Sequence, residues 1–372
     1  MNLRLALIAS AALGLAACAS RPASAPDSPD AVLRVPAFDA VTVAERYVSE
    51  PDAADELDSL ATWVAEDGRT WLIATAKSTH RLVVFDADSG ERLNTFGARG
   101  EAPGQFKRPN GIAVHGDTLF VVERDNRRVQ ALDLPSFAPV ATFGEQELRS
   151  PYGLWLMETG PQELVAYITD SFMYGPRFDE VPPLRELDQR VRRYRLQFDS
   201  RGRMRSTYAG SFGETTDAGA LRVVESIAGD AANGRLLIAD ESTSPRDGEG
   251  STLREYTLEG RYTGRRLPQT AFQAQAEGVA LWTCPGGDGY WIAVDQLAPL
   301  TVFHLFDRES LEPRGSFRGQ VTAFTDGVTL HAASTPSFPG GALFAVHEDK
   351  AVTAFDLRDV SRALDLAPGC TG

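Results

Sequence analysis

The sequence predicts an all-β fold, a six-bladed β-propeller in which an N-terminal strand closes the last blade. The first observation is a set of short apolar runs, each rich in β-branched and aromatic residues and bounded by turn residues. Such runs are typical of buried strands. They occur six times, at residues 70–75, 118–123, 163–169, 235–240, 290–295 and 342–347.

The second observation is that each run stands inside a repeating unit. A related segment precedes it, at 60–65, 109–114, 151–156, 224–229, 276–281 and 325–330. An alternating strand follows, at 81–86, 128–134, 190–196, 252–258, 301–307 and 351–357. A more polar fourth strand completes five units, at 93–98, 139–145, 205–210, 261–267 and 312–319. Four strands recurring at roughly 40–50 residues indicate propeller blades.

Two units depart from the pattern. The third contains an insertion, residues 170–189, between its second and third strands. The sixth has no fourth strand, since residues 359–366 are predicted to form a short helix. Residues 39–48 alternate like a strand, and we expect them to supply the missing one, because ring closure protects sheet edges. The regular spacing and this extra strand disfavour a sandwich or two separate β domains.

The N-terminus predicts export and a lipid anchor. Residues 1–17 combine an early Arg4, an apolar run and small residues before Cys18, which is typical of a secretory signal. The residues ending at Cys18 resemble a bacterial lipobox, which implies cleavage and lipidation at Cys18 in the cell envelope. Plain secretion is the alternative. Residues 18–37 are rich in Ala, Ser and Pro and are predicted to be a disordered tether, leaving 38–372 as the propeller.

The charge of the chain restricts its partners. Removal of residues 1–17 takes away Arg4 and no acid, so the net charge moves from −14 to −15. We expect no binding to nucleic acid, contact with the membrane only through the lipid at Cys18, and a monomer. An anionic ligand would require a bound cation or a local basic patch. Cys284 and Cys370 remain after cleavage, and the sequence leaves open whether they form a disulfide.

Short motifs in successive units suggest a family. Asp58 lies in an acidic segment before Trp63, and Lys77 lies in a Thr-Ala-Lys-Ser sequence. The later motifs are Asn126-Arg127, Tyr152-Gly153, Glu225-Ser226, Asp240-Glu241, Glu277-Gly278 and Thr325-Asp326-Gly327. In this order, from about residue 40 to 366, the chain resembles the β-propeller phytases, which are calcium-dependent and alkaline. Residues 96–134 also look like an NHL repeat.

The resemblance implies calcium-dependent hydrolysis of phosphate monoesters, with phytate as the named substrate. Ca²⁺ prefers six to eight oxygen ligands, which carboxylates can supply. The implied calcium ligands are Asp58, Glu225, Asp240, Glu241, Glu277 and Asp326, with Asp55 a weaker candidate. Lys77 and Arg127 would bind phosphate oxygens, Arg127 as a bidentate donor, and Tyr152 would line the site.

The chain departs from the family pattern at several positions. Uncharged residues replace expected acids or lysines at Ser59, Ser78, Gln275 and Gln320, and near Ser171. A non-catalytic propeller lipoprotein that binds a ligand or a protein partner is therefore the alternative function. The five histidines show no metal-ligand spacing, so a zinc site is not indicated. The phosphatase hypothesis requires the six acids to converge on one face, within reach of Lys77 and Arg127.

Overall fold

The fold is the predicted all-β propeller with six blades. The computed structural model describes residues 39–243 and 250–371, and these contain 25 strands arranged in six sheets. The signal peptide, the tether and Cys18 lie outside the described residues, so these assignments stay predictions. None of the helices in the described residues is long and apolar enough to span a membrane.

Each blade is an antiparallel sheet of consecutive strands. Blade 1 contains β3 (Leu57–Val64), β4 (Thr70–Ala76), β5 (Arg81–Asp86) and β6 (Arg92–Phe96). Blade 2 contains β7 (Pro109–His115), β8 (Thr118–Glu123), β9 (Arg128–Asp133) and β10 (Ala138–Phe143). Blade 3 contains β11 (Pro151–Gly160), β12 (Glu163–Asp170), β13 (Val191–Phe198) and β14 (Met204–Phe212).

The second half of the chain repeats this order. Blade 4 contains β15 (Val224–Asp230), β16 (Arg235–Asp240), β17 (Thr252–Thr257) and β18 (Tyr262–Arg266). Blade 5 contains β19 (Ala276–Thr283), β20 (Gly289–Asp295), β21 (Val302–Asp307) and β22 (Pro313–Arg318). Blade 6 contains β23 (Val328–His331), β24 (Ala342–His347) and β25 (Ala351–Asp356), and α1 (Leu357–Ala363) follows it.

The hydrophobic core is divided into six parts, each lying between two neighbouring blades. Between blades 5 and 6, for example, the fully buried Trp282 and Phe303 belong to the same cluster as Phe355. The middle strands are continuous apolar runs because the two faces of each sheet are covered by the two neighbouring blades. The first strand of each blade, which we call the inner strand, contacts the inner strand of the next, and β23 contacts β3 to complete the ring.

The N-terminal segment differs in detail from the single strand expected over residues 39–48. It forms two short strands, β1 (Val41–Thr42) and β2 (Tyr47–Val48). β1 runs parallel to β22 in blade 5, while β2 pairs antiparallel with β25 as the outer strand of blade 6. The break falls at Glu45, whose carboxylate accepts hydrogen bonds from three backbone N–H groups of residues 320–322 at 2.8–3.1 Å.

The C-terminal segment is fixed to blade 5. The helix expected near 359–366 is present as α1, and its N-cap Asp356 accepts a hydrogen bond from the backbone N–H of Arg358. Beyond the helix, Cys370 forms a disulfide with Cys284 at the end of β19. The pairing that the sequence left open is therefore made, and it links residues 86 positions apart in the chain.

Candidate functional site on the propeller axis

One residue from each blade occupies an equivalent position at the start of the inner strand. In blades 1 to 5 the pairing with the second strand is interrupted there, as between Leu57 and Leu60 of β3. In blade 6 the equivalent residue comes two positions before β23. We call these six residues the axial ring: Asp58, Asn110, Tyr152, Glu225, Glu277 and Asp326. All are polar, although the strands that carry them are otherwise largely apolar.

Small residues after the axial ring allow neighbouring inner strands to approach closely. A Cβ atom at Gly153 would lie 2.3 Å from the carbonyl oxygen of Glu225 in the next blade. At Gly327 it would lie 2.2 Å from the carbonyl oxygen of Asp58. The buried hydroxyl of Thr169 donates to the Glu225 carbonyl at 2.6 Å and accepts from the Gly153 N–H at 2.7 Å. Backbone contacts therefore hold the ring in register from blade to blade.

Three glutamates form a carboxylate cluster. One oxygen from each of Glu225, Glu241 and Glu277 lies within 4.8 Å of the others. Burial and mutual repulsion raise the pKa of Glu241 and Glu277 well above the ordinary value, and burial raises the pKa of Glu225 to about 7. Among the described residues, the buried Oε1 atom of Glu241 has no hydrogen-bond partner. Hard, buried oxygens with too little positive charge nearby fit a Ca²⁺ ion.

Lys77 forms the centre of an ion-pair network beside this cluster. Its Nζ atom lies 2.9 Å from Asp326, 3.3 Å from Asp58 and 3.8 Å from Glu56. Burial alone would lower the pKa of the ammonium, but the charges of Asp58 and Asp326 outweigh it and raise the pKa. Only 5% of the surface of Lys77 is exposed. Its ammonium therefore stays charged and offsets the negative charges of Asp58 and Asp326 in the axial ring.

Tyr152 lies between the Lys77 network and the carboxylate cluster, near both Asp58 and Glu225. Its hydroxyl donates to the Oδ1 atom of Asp58 at 3.4 Å. Burial and the charges of Asp58 and Glu225 raise the pKa of the phenol well above its ordinary value. Tyr152 therefore remains protonated and can act as a hydrogen-bond donor throughout the physiological range.

Asp240, one of the predicted calcium ligands, is bound by other groups of the protein. The carboxylate of Asp240 accepts hydrogen bonds from the backbone N–H groups of Arg222 and Val223 and pairs with Arg254 at 2.7 Å. Residues at the same strand end, Asp170 and Asp295, also accept from backbone N–H groups that lead into the inner strand. The strand-end acids therefore hold the entry loops, and the structure does not bring Asp240 into the carboxylate cluster. The requirement that all six predicted acids converge is therefore not met in full.

Asp55, the weaker candidate, is also held by other partners. It is fully buried and accepts hydrogen bonds from the hydroxyl of Thr79 at 2.6 Å and from Arg81 at 2.9 Å, and it also contacts Arg92. Its carboxylate is balanced by two guanidinium groups. The acidic stretch before Trp63 is thus split: Asp58 lies on the axis, whereas Asp55 stabilises the entry to blade 1.

Arg127 lies in a cavity that adjoins the axial ring. The cavity has a volume of about 810 Å³ and shares Tyr152 and Glu225 with the ring. Its basic residues are Arg124, Arg127, Arg149 and Arg177, and its only other charged residues are Asp125 and Glu225. Within the part of the chain that the structure describes, the exposed Arg127 and Arg149 have no carboxylate partner, whereas Arg124 pairs with Asp125 and Arg177 with Asp179.

The site also contains three residues that the sequence analysis did not assign to it. Asn110 is fully buried, and neither its Nδ2 nor its Oδ1 atom has a partner in the described residues. Its Pro-Asn-Gly sequence aligns with Pro-Tyr-Gly of blade 3, which is a usable signal. Asp349, on a turn facing Lys77, has its pKa raised to about 6 by burial, and Gln296 donates to Asp326. No sequence pattern identified these last two residues.

Comparisons with known proteins identify no family for this chain. No family model matches the sequence, and no curated protein matches it. Solved structures with a similar shape include Kuenenia stuttgartiensis hydrazine synthase, at 13% identity and a TM-score of 0.46, covering 86% of this chain and 82% of that one.

Two further structures are similar to the same extent. A catalytically inactive virginiamycin B lyase from Staphylococcus aureus with quinupristin has 11% identity and a TM-score of 0.47, covering 82% of this chain and 97% of that one. The β-propeller domain of Cps50 (Swd1) from Myceliophteria thermophila has 11% identity and a TM-score of 0.46, covering 83% and 98%. At such identities the likeness concerns the fold alone.

Proposed function

We propose that this protein is a calcium-dependent phosphoesterase that hydrolyses phosphate monoesters, such as inositol phosphates or related organic phosphates. The observation that carries the proposal is the contact between two kinds of site. A buried carboxylate cluster suited to a divalent cation shares Glu225 with a cavity in which Arg127 and Arg149 have no carboxylate partner in the described residues. Both features suit a phosphate ester, since a divalent cation and arginine N–H groups each bind phosphoryl oxygens.

The carboxylates of Glu225, Glu241 and Glu277 would hold the calcium. When bound, Ca²⁺ supplies positive charge that offsets the negative charge of the phosphoryl group during hydrolysis. Asp58 and Asp326 stay paired with Lys77 and contribute to the ring rather than to the cavity. Asp240 is left out of this proposed ligand set because its carboxylate is used by backbone N–H groups.

The residues of the cavity would bind and orient the ester. The guanidinium of Arg127 offers a planar pair of N–H donors that matches two phosphate oxygens. Tyr152, whose hydroxyl stays protonated and donates to Asp58, lines the boundary between the cluster and the cavity. The four arginines outnumber the two acids, so the cavity attracts an anion even though the whole chain is acidic.

The proposed location follows from the N-terminus. Cleavage before Cys18 and lipidation of its thiol would place the propeller in the bacterial cell envelope, outside the cytoplasm. Residues 18–37 would separate the propeller from the membrane surface. The substrate would then be a phosphate ester present in that compartment.

Phosphate release tests the proposal directly. The protein from residue 19 would be incubated with phytate and with p-nitrophenyl phosphate, in Ca²⁺ and in EGTA. We expect release in Ca²⁺ only, and its loss in Glu277→Gln and Arg127→Ala. Glu66→Gln, an exposed acid on blade 1, is the matched control and should keep full activity. Release that persists in EGTA, or is absent from both esters, would contradict the proposal.

A second candidate function has one specific observation in its favour. Lys77 is buried and bound by carboxylates, so in this state it does not offer its ammonium group to a phosphate. A non-catalytic propeller lipoprotein that binds an anion or a protein partner would keep the ring and the cavity without turnover. In the experiment above, calcium-dependent thermal stabilisation without phosphate release would favour this alternative.

A further inference from the structure

The insertion of blade 3 builds one wall of the cavity. Ser171, Phe172, Met173, Arg177 and Phe178 from this insertion line it. The insertion ends at Arg190, a fully buried guanidinium that donates to the backbone carbonyls of Asp170 and Phe172 at 3.0 and 2.7 Å. The same guanidinium donates to the carbonyls of residues 221 and 222 in blade 4. These bonds fix the start of the wall to two blades.

Phe172 in this wall stacks against the guanidinium of Arg149. The Cζ atom of Arg149 lies 3.8 Å from the ring centroid of Phe172 and 5.3 Å from that of Tyr174. A guanidinium stacked in this way keeps the N–H groups along its edge available to an anion. Arg149 and Arg127 therefore define where a phosphate would lie, next to Tyr152.

The outer part of the wall is apolar. Phe178 is 77% exposed, the largest exposure among the large hydrophobic residues that the structure describes. A bridge between Tyr174 and Glu180 closes the short loop that carries it, and its backbone φ is 55°, a conformation that is uncommon for a bulky residue. Phe178 therefore presents the face of a large ring next to a cavity lined by arginines, where it offers a ligand an apolar surface.

We propose that this cavity takes phosphate monoesters of flat aromatic groups, namely aryl or nucleoside monophosphates. The phosphate binds Arg127 and Arg149, and the flat group stacks on the ring of Phe178. A cyclitol phosphate has no apolar face of this kind, so among the phosphate esters of the proposed function we expect it to bind less tightly than an aromatic ester. The inference rests on the proposed function for turnover, but the binding step depends only on the cavity.

Calorimetric binding in EGTA tests the inference without turnover. The probes are 1-naphthyl phosphate, adenosine monophosphate and glycerol 2-phosphate, titrated into the protein from residue 19. We expect 1-naphthyl phosphate to bind about tenfold more tightly than glycerol 2-phosphate, the increment typical of one aromatic stacking contact. Tight binding of adenosine monophosphate as well would extend the class to nucleotides, and its absence would restrict the class to aryl esters.

Variants assign the effect to the wall. Phe178→Ala should remove the preference for 1-naphthyl phosphate and leave glycerol 2-phosphate unchanged, whereas Arg127→Ala should weaken both. Tyr208→Ala is the control, because this ring is 37% exposed on β14 and does not line the cavity. Arg362→Ala, an exposed arginine paired with Asp359, controls for loss of a surface charge.

Two results would overturn the inference: equal affinity for the aromatic and the glycerol ester, or a preference that survives Phe178→Ala. Circular dichroism confirms that each variant folds. Failure of the inference is separable from failure of the proposed function. Aromatic esters that bind without phosphate release would contradict the proposed function alone, and calcium-dependent release without an aromatic preference would contradict the inference alone.

Discussion

At the scale of single residues, Glu241 is a buried carboxylate that is repelled by two neighbouring glutamates. It is 4% exposed, and one of its oxygens has no partner in the described residues. Burial, together with the charges of Glu225 and Glu277, raises its pKa well above the ordinary value. Because the folded state disfavours its charge, an ionised Glu241 lowers the free energy of unfolding at neutral pH. A bound cation would reverse this effect.

Glu241→Gln should therefore have opposite effects without and with calcium. In EGTA we expect the variant to melt about 2 °C higher than the wild type, equivalent to about 1 kcal/mol for a domain of this size. In millimolar Ca²⁺ the wild type should gain stability and the variant should gain little. Differential scanning fluorimetry measures both. An unchanged calcium response in the variant would remove Glu241 from the ligand set, and Glu66→Gln serves as the control.

At the scale of elements, close contact between inner strands positions the axial ring. Gly153→Ala places a Cβ atom 2.3 Å from the backbone oxygen of Glu225, and neither strand can move without breaking the hydrogen bonds of Thr169. We expect a loss of about 2–4 kcal/mol in the free energy of unfolding, as for other severe packing clashes. Urea denaturation measures it.

The matched control for this substitution lies on the same strand. Gly160, at the other end of β11, would bring a new Cβ no closer than 3.8 Å to its nearest neighbour, a side-chain oxygen of Glu163. Gly160→Ala should change stability by less than about 0.5 kcal/mol. Similar losses for both variants would show that the contact between blades 3 and 4 is not responsible.

A buried ion pair links blades 4 and 5, and it makes the stability of their contact depend on pH. Asp230 at the end of β15 forms a bidentate pair with Arg308, which follows β21, at 2.8 and 2.5 Å. Burial opposes the charge, but hydrogen bonds from Arg308 and Asn233 outweigh it and lower the pKa of Asp230 to about 2. A lowered pKa contributes stability above the ordinary value of 3.8, and this stability is lost as the pH falls toward 2.

Asp230→Asn should cost about 3 kcal/mol at pH 7, since it leaves Arg308 buried without a charged partner. The difference in free energy of unfolding between the wild type and the variant should become smaller as the pH falls below about 4. Urea midpoints from pH 7 to pH 3 measure this difference. Asp67→Asn, which removes an exposed pair with Arg69, should have a much smaller effect on the urea midpoint. A difference that is constant with pH would contradict the assignment.

At the scale of the whole molecule, the disulfide between Cys284 and Cys370 closes a loop of 86 residues. The loop contains strands β20 to β22 of blade 5 and β23 to β25 of blade 6, but not the N-terminal strand β2. In the chain-entropy model such a cross-link stabilises a fold by roughly 4–5 kcal/mol. The double variant Cys284→Ser/Cys370→Ser should therefore melt at a lower temperature than the wild type. Dithiothreitol should lower the melting temperature of the wild type and leave that of the double variant unchanged.

The fold was largely predictable because each blade is a local unit. Strands 118–123, 235–240 and 342–347 were predicted with the bounds that the structure has, since apolar runs between turn residues carry their signal locally. The N-terminal segment was less predictable. Its division into β1 and β2 depends on Glu45 meeting the backbone of residues 320–322, far away in the chain.

The site was predictable in part. The resemblance to the β-propeller phytases implied Asp58, Tyr152, Glu225, Glu277 and Asp326 as site residues, and all five belong to the axial ring. Asp240 looked equivalent to Glu241 in sequence, yet the alternation of side chains along a strand turns its carboxylate toward the entry loop of its own blade. Asp349 came to Lys77 only through the packing of blade 6 against blade 1.

The sequence by itself determined the number of blades and the strands that form them, because these recur as similar units along the chain. Its resemblance to a known family implied most members of the axial ring. The tertiary structure decided which carboxylates meet, which arginines keep no carboxylate partner in the described residues, and that Cys284 bonds to Cys370. Those outcomes depend on distances between residues in different blades. Such distances are set only when the ring of blades is complete.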